Sequence, residues 1–189
     1  MKKNLGALPA VFPMPVLMVA AYDAAGNVGV MNAAWGMICG QDRIALCIGE
    51  AHKTTKNIRE SKAFTVALAD LAHMAESDFF GIATGNTMPG KFAKSGMNAV
   101  KSNYVNAPVI TDYPLVMECE LLEIVDSEHL HAVVGRIVNV AAEESTLDAE
   151  GKVDVTKLGA LIFDQFRAGY YLVGEQAGQA WDAGMEMMK

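Results

Sequence analysis

The stretch Met31–Phe64, MNAAWGMICGQDRIALCIGEAHKTTKNIRESKAF, contains the pattern that decides the fold. Within it, an apolar strand-like run, Ile44–Ile48, is followed by a polar run, His52–Asn57, and then by a helical pattern over Ile58–Ser61. A helix start leaves backbone N–H groups free and carries partial positive charge. Because the polar run adds lysines and threonines there, it is a candidate phosphate cradle. An ordinary polar loop with an N-cap would look the same, and no phosphate-loop motif is matched.

Strand patterns continue on both sides of this stretch. The segments Val16–Tyr22 and Val28–Ala34, separated by the turn signal Asp23–Asn27, predict a β-hairpin. Four further strands are predicted at Phe64–Ala69, Leu115–Ile124, His131–Val140 and Gly169–Val173. In the second of these, apolar Met117, Cys119 and Leu121 alternate with Glu118 and Glu120, so the two sets should lie on opposite faces.

Helical patterns are fewer than strand patterns. We predict helices at Leu71–Phe80 and at Val155–Phe163, and a long glycine-rich loop over Gly81–Gly96. Without repeats or a linker, residues 1–189 are expected to form one domain. The expected fold class is therefore mainly β with attached helices, either a small antiparallel barrel or a sandwich.

Composition limits the classes of function. A net charge of −7 argues against nucleic acid as the main partner. The apolar content of 52% fits either a large core or a buried contact between subunits. Cys39, Cys47 and Cys119 show no metal or disulfide spacing, so we expect no bound metal. No apolar run is long enough to span a bilayer, and we expect a cytoplasmic protein without a membrane partner.

An ordered set of short motifs resembles the flavin reductase-like family. The motifs are Asn32-Ala33-Ala34-Trp35, Ala45–Ile48, His52–Ile58, Phe64–Val66, Lys91-Phe92, Ala107–Ile110 and Leu115–Glu120. Each motif is weak alone, but their order and spacing are more specific. The resemblance implies an FMN-binding split β-barrel that forms a homodimer, with the flavin near the subunit interface.

The resemblance also implies roles for individual residues. It places Lys53, Thr54, Thr55 and Asn57 at the FMN phosphate, and Asn32, Ala33, Ala34, Trp35, Cys47 and Lys91 beside the flavin. Cys47 stands where the family often has serine, and Gly90 replaces the family's aspartate before Lys91. The glycine-rich loop is expected to close over the flavin. The roles of Cys39 and His52 stay open at this point.

Three functions are compatible with this set of residues. The leading prediction is an oxidoreductase that passes electrons from a donor such as NAD(P)H through FMN to an acceptor. The first alternative is an electron carrier of the flavoredoxin type without NAD(P)H activity. The second is a flavin-binding storage or sensing protein without turnover. Donor and acceptor could be small molecules or proteins. Because the flavin does the redox chemistry, the absence of a catalytic triad does not separate these functions.

Overall fold

The computed structural model describes residues 1–188 and is mainly β, as predicted. Its strands are β1 Met14–Pro15, β2 Leu17–Tyr22, β3 Val28–Ala33, β4 Gly36–Gly40, β5 Arg43–Leu46, β6 Ala63–Leu68, β7 Ala99–Lys101, β8 Pro108–Ile110, β9 Leu115–Asp126, β10 His131–Ala142, β11 Leu161–Asp164 and β12 Gly169–Leu172. Its α-helices are α1 Lys53–Ser61, α2 Met74–Ile82 and α3 Lys91–Ser95, and short 3-10 turns lie at Glu144–Thr146 and Met185–Met188.

Seven strands form one antiparallel sheet in the order β3-β2-β6-β9-β10-β5-β4. Smaller sheets, β1-β11-β12 and β7-β8, lie beside it. The predicted hairpin is confirmed, because Leu17 pairs with Ala33 and Tyr22 pairs with Val28. Its turn is held by the Asp23 carboxylate, which accepts hydrogen bonds from the backbone N–H of Ala25 and Asn27.

Strand β2 is buried on both of its faces. Met18 and Ala20 belong to one core cluster, which includes Phe80 from α2. Leu17 and Val19 belong to a second cluster, on the side of α1 and β5. Since a strand alternates its side chains, one apolar run supplies both clusters. β2 therefore fixes β3, its partner in the hairpin, between α1 and α2.

The predicted helix at Val155–Phe163 is wrong. Gly159 has φ +58°, and the following residues form strand β11. The Leu161 N–H donates to the Ala69 carbonyl at 2.9 Å, which ties this segment to the end of β6. The apolar spacing that indicated a helix was only two turns long, and pairing with distant strands overrode it.

Other boundaries also differ from the sequence prediction, and two of these differences concern the candidate site. Helix α1 begins at Lys53, so the lysines and threonines lie in its first turns rather than in a loop before it. The Gly81–Gly96 loop is shorter than predicted, because α2 ends at Ile82 and α3 occupies Lys91–Ser95. The irregular part is limited to residues 83–90.

Strand β9 alternates as predicted, but its polar face is partly covered. Glu118 is 3% exposed. Its carboxylate accepts hydrogen bonds from Ser102 Oγ and, at 2.6 Å, from Asn139 Nδ2. A buried carboxylate needs such donors, so Glu118 holds the segment after β7 onto the sheet.

In residues 1–188, no helix has both the length and the apolar character that a membrane crossing would require.

Candidate functional site

A cavity of about 560 Å³ lies between β3, the start of α1 and the segment that joins α2 to α3. Strand β3 and its turn contribute Asp23, Asn27, Val28, Gly29, Val30, Met31 and Asn32. The region of α1 contributes Ala51, His52, Lys53, Thr54 and Asn57. The third side is formed by Phe80, Gly81, Ala83, Thr84, Gly85, Asn86, Met88, Pro89 and Lys91.

The start of α1 presents donors to this cavity. The first N–H groups of an α-helix have no acceptor inside the helix, and the His52 side chain does not cap them. Lys53 and Thr54 line the cavity, and the first turn of α1 contains no acidic residue. Backbone donors, a hydroxyl and an ammonium group therefore converge where an anion would be stabilised.

Asn57, one turn further along α1, is buried without a partner for its amide oxygen. The side chain is 1% exposed, and its Oδ1 has no hydrogen-bond partner in the protein. A Cβ placed on Gly29 would lie 2.6 Å from Asn57 Nδ2, so glycine is what allows this amide to rest against β3. An unsatisfied buried polar atom costs about 1–3 kcal/mol, so Asn57 is suited to a ligand that supplies the missing hydrogen bond.

Lys91 is buried rather than on the surface. Its Nζ donates to the Phe80 carbonyl at 3.1 Å and to the Ala83 carbonyl at 2.7 Å, and lies 5.7 Å from the centre of the Phe80 ring. Burial lowers the pKa of Lys91. An ammonium group has three donors, and two of them bind the end of α2. The third donor is the one that a ligand in the cavity could use.

The segment of residues 83–90, which we call the strap, crosses from α2 to α1. Asn86 Nδ2 donates to the Ala51 carbonyl at 3.0 Å. A Cβ on Gly85 would lie 3.3 Å from Lys53 Cγ, so the strap backbone packs directly on the lysine stem. The strap therefore closes the cavity beside the start of α1.

Asn32 is held at the other end of the cavity by α2. Its Nδ2 donates to the Ser77 carbonyl at 3.0 Å, which leaves its amide oxygen for the cavity. Beside it, Tyr170 donates to Asp78 at 2.9 Å, and burial is the first cause that raises the pKa of Tyr170 to about 12. Tyr170 therefore stays protonated at neutral pH and donates a hydrogen bond to the Asp78 carboxylate.

The anionic group on the cavity wall is Asp23, in the β2–β3 turn. The hydrogen bond from the Asn27 backbone is the first cause that lowers the pKa of Asp23, and Lys53 adds a smaller effect. The cavity lining thus contains one carboxylate, that of Asp23, which lies close enough to Lys53 to be affected by its charge.

Half of the predicted site residues line this cavity: Asn32, Lys53, Thr54, Asn57 and Lys91. The other five, Ala33, Ala34, Trp35, Cys47 and Thr55, do not. The Thr55 hydroxyl donates to the Gly49 carbonyl at 2.8 Å, and its side chain is fully buried.

Trp35 and Cys47 lie together at the open edge of the large sheet. The Cys47 N–H donates to the Trp35 carbonyl at 2.7 Å. Trp35 is 56% exposed, and its neighbours Met37 and Ile38 on edge strand β4 are 70% and 57% exposed. The structure thus separates most of the predicted residues into a cavity group, Asn32, Lys53, Thr54, Asn57 and Lys91, and an edge group, Trp35 and Cys47 with the adjoining Ala33 and Ala34. Thr55, buried in α1, belongs to neither group.

The sequence reasoning missed Gly29, Gly85 and Asn86. The glycine-rich composition drew attention to the strap, but nothing local identified Asn86 as its contact with α1. Gly29 sits inside a strand pattern, where a glycine can mark close approach of another group. In residues 1–188, no cluster of three or more His, Cys, Asp or Glu side chains could hold a metal ion.

Residues 9–167 match the flavin reductase-like domain family. An uncharacterized protein of Aeropyrum pernix is 31% identical over 116 residues, which are 60% of this chain and 43% of that protein. The chain thus spans less than half the length of this relative.

Solved structures resemble the whole chain. Flavoredoxin of Desulfovibrio vulgaris (Miyazaki F) is 33% identical, with a TM-score of 0.92 over 97% of this chain and 100% of that one. A flavoredoxin of Methanosarcina acetivorans is 24% identical, with a TM-score of 0.87 over 100% and 98%. A putative flavin reductase of Shewanella frigidimarina, with a split barrel domain, is 16% identical, with a TM-score of 0.78 over 89% and 86%. The fold is therefore the split barrel, as the resemblance implied.

Proposed function

The chain belongs to the flavin reductase-like domain family, and on that premise we propose that it binds FMN and serves as an electron carrier of the flavoredoxin type. The observation that carries FMN binding is the set of free N–H groups at the start of α1, where Lys53 and Thr54 line the cavity, together with the cavity-lining residue Asn57, whose buried amide oxygen has no partner. The 33% identity to a flavoredoxin over nearly the whole chain supports the carrier role.

The residues present fit a flavin mononucleotide. Its phosphate carries up to two negative charges and needs several donors, which Lys53, Thr54 and the first N–H groups of α1 supply. Asn57 and Asn32 offer amide groups along β3 for the polar part of the ligand. Bound FMN would supply the redox chemistry, and this chain's residues bind it, orient it and limit its contact with water.

The site favours a carrier over an NAD(P)H-linked reductase, the leading sequence-based prediction. A reductase must attract an anionic nicotinamide nucleotide to the flavin. Lys94 and Lys101, which could have formed a basic entrance, do not line the cavity, and Lys91 is buried. Asp23 lies on the cavity wall, and the net charge is −7. Electrostatic steering therefore favours a basic protein partner.

An NAD(P)H-linked flavin reductase is the second candidate, because the matching family is named after flavin reductases. The strap, with glycine at positions 85 and 90, could move and admit a flat donor. Storage or sensing without turnover is the third possibility.

A homodimer is part of the proposal. Strand β4 is an edge strand whose side chains Met37 and Ile38 are largely exposed, and no charged or proline residue protects it. Exposed apolar edges are normally covered. A second copy lying on β4 would also cover Trp35, and would bring the edge group of predicted residues against a flavin that the cavity holds by its phosphate.

Anaerobic mixing tests the proposal. Flavin-free protein should quench FMN fluorescence on titration at micromolar concentration, and absence of binding would refute the FMN proposal. The FMN complex is then mixed without air with NADH, with NADPH, and with a chemically reduced, low-potential redox protein of basic net charge as a protein donor. The carrier predicts bleaching of the flavin by this basic protein within seconds and none by either nucleotide. Rapid bleaching by a nucleotide would instead establish a reductase, and no bleaching by any donor would leave storage or sensing.

A further inference from the structure

We propose that the strap makes this site selective for a flavin mononucleotide over a flavin dinucleotide, and that Asn86 is the residue that determines the selectivity. The inference rests on the proposed binding of FMN. It goes further in assigning the discrimination between the two flavins to one contact, the hydrogen bond from Asn86 to the Ala51 carbonyl.

The strap closes the cavity at the place where a dinucleotide would have to leave it. The donors for a phosphate lie at Lys53 and Thr54. Directly beside them, Asn86 Nδ2 binds the Ala51 carbonyl at 3.0 Å, and Gly85 packs on the Lys53 stem. A mononucleotide ends at its phosphate and fits under this bridge. In a dinucleotide the phosphate continues into an adenosine diphosphate portion, which needs an exit through the same gap.

The strap is attached to the fold at its start and across the gap. At its start, the Ala83 carbonyl accepts a hydrogen bond from buried Lys91 at 2.7 Å. Its middle is a turn in which the Met88 N–H donates to the Thr84 carbonyl at 2.9 Å. The attachment across the gap is the Asn86 side chain, whose hydrogen bond is exposed to solvent. Loss of this bond would remove the strap's hydrogen bond to the turn before α1 and leave only the packing of Gly85 on Lys53 to hold the strap there.

Charge acts in the same direction as this closure. A terminal phosphate monoester carries between one and two negative charges at neutral pH and has three free oxygens. A phosphate inside a dinucleotide carries one charge and has two free oxygens. The Lys53 ammonium and the free N–H groups of α1 therefore bind the terminal phosphate more strongly.

The test compares FMN and FAD affinities of four proteins by fluorescence quenching: wild type, Asn86→Ala, Gly85→Val and the control Thr87→Ala. The Asn86→Ala change removes the bond to α1. The Gly85→Val change pushes the strap away from Lys53, because even a Cβ there would be tightly packed. The Thr87 hydroxyl contacts only the Thr84 carbonyl, within the strap, so its loss leaves the gap bridged.

Wild type should bind FMN roughly tenfold or more tightly than FAD, the equivalent of one charge-assisted hydrogen bond. In Asn86→Ala and Gly85→Val the ratio of FMN affinity to FAD affinity should fall by about threefold to tenfold, and in Thr87→Ala it should be unchanged. Equal affinities in wild type, or an unchanged ratio in both strap variants, would overturn the inference while leaving FMN binding intact. Failure of wild type to bind any flavin would refute the proposed function itself. Circular dichroism of each flavin-free variant checks that it is folded.

Discussion

The cavity group of predicted residues is enclosed by this chain, whereas the edge group lies on an open sheet edge. Lys53, Thr54 and Asn57 lie in a cavity that this chain closes with its own strap. Trp35 lies on an open sheet edge next to the exposed side chains of Met37 and Ile38. On the proposed function, we therefore expect that one chain is sufficient to hold the phosphate, and that a second copy completes the surface beside the flavin ring.

The largest effect is expected from a charge on the open edge. Ile38→Glu should convert a dimer to a monomer, because an unpaired carboxylate in an apolar interface costs several kcal/mol, or about a hundredfold or more in the dissociation constant. Light scattering at micromolar protein measures this change in mass.

The matched control is Val100→Glu, which places the same charge on another exposed β-branched residue, in strand β7. It should remain dimeric. A wild type that is already monomeric, or an Ile38→Glu variant that is still dimeric, would contradict the proposal that a second copy covers β4. If the comparison holds, monomeric Ile38→Glu should still prefer FMN to riboflavin, because the phosphate donors belong to one chain.

The second effect is on the phosphate. Lys53→Ala combined with Thr54→Ala should weaken FMN binding by about 2–4.5 kcal/mol, the sum of one charge-assisted and one neutral hydrogen bond. The binding free energy of riboflavin, which lacks the phosphate, should change little. Fluorescence titration with both flavins gives the comparison, and Lys56→Ala is the control because Lys56 is exposed and outside the cavity lining. Equal losses for both flavins would mean that α1 does not hold the phosphate.

The sequence predicted local features well. The hairpin of β2 and β3 was predicted correctly, and the run His52–Asn57 was placed beside a helix, because alternation, turn residues and helix-start chemistry are local. The helix proposed at Val155–Phe163 failed because its strand partners, including the Ala69 carbonyl, are far away in the chain. The Asn86–Ala51 bond joins residues 35 positions apart, and no pattern inside either segment encodes it. The burial of Lys91 depends in the same way on where α2 ends.

The third effect is on the support beneath the strap. Lys91→Met should lower the free energy of unfolding by about 2 kcal/mol, because it leaves the Phe80 and Ala83 carbonyls without their buried donor. Urea denaturation of flavin-free protein measures this, with Lys94→Met, an exposed neighbour, expected to change it by less than about 0.5 kcal/mol.

The Lys91 comparison also has a defined dependence on pH. Burial lowers the pKa of Lys91 below its ordinary value of 10.5, so in the window below pH 10.5 the unfolded chain binds more protons than the folded one. The stability of wild type relative to Lys91→Met should therefore rise as pH increases from neutral toward 10. If this difference in free energy of unfolding instead decreases over that range, folding favours the charged form of Lys91.

The smallest effect separates a support residue from a ligand contact. The resemblance placed Thr55 at the FMN phosphate, but its hydroxyl donates to the Gly49 carbonyl, in the turn before α1. Thr55→Ala should therefore lower the free energy of unfolding by about 1 kcal/mol and leave the ratio of FMN to riboflavin affinity unchanged. Thr55→Ser keeps the hydroxyl and should keep the ratio as well. If Thr55→Ala weakens FMN binding about fivefold or more while riboflavin binding is unaffected and Thr55→Ser restores binding, the hydroxyl turns toward the phosphate when flavin binds, and Thr55 joins the cavity group.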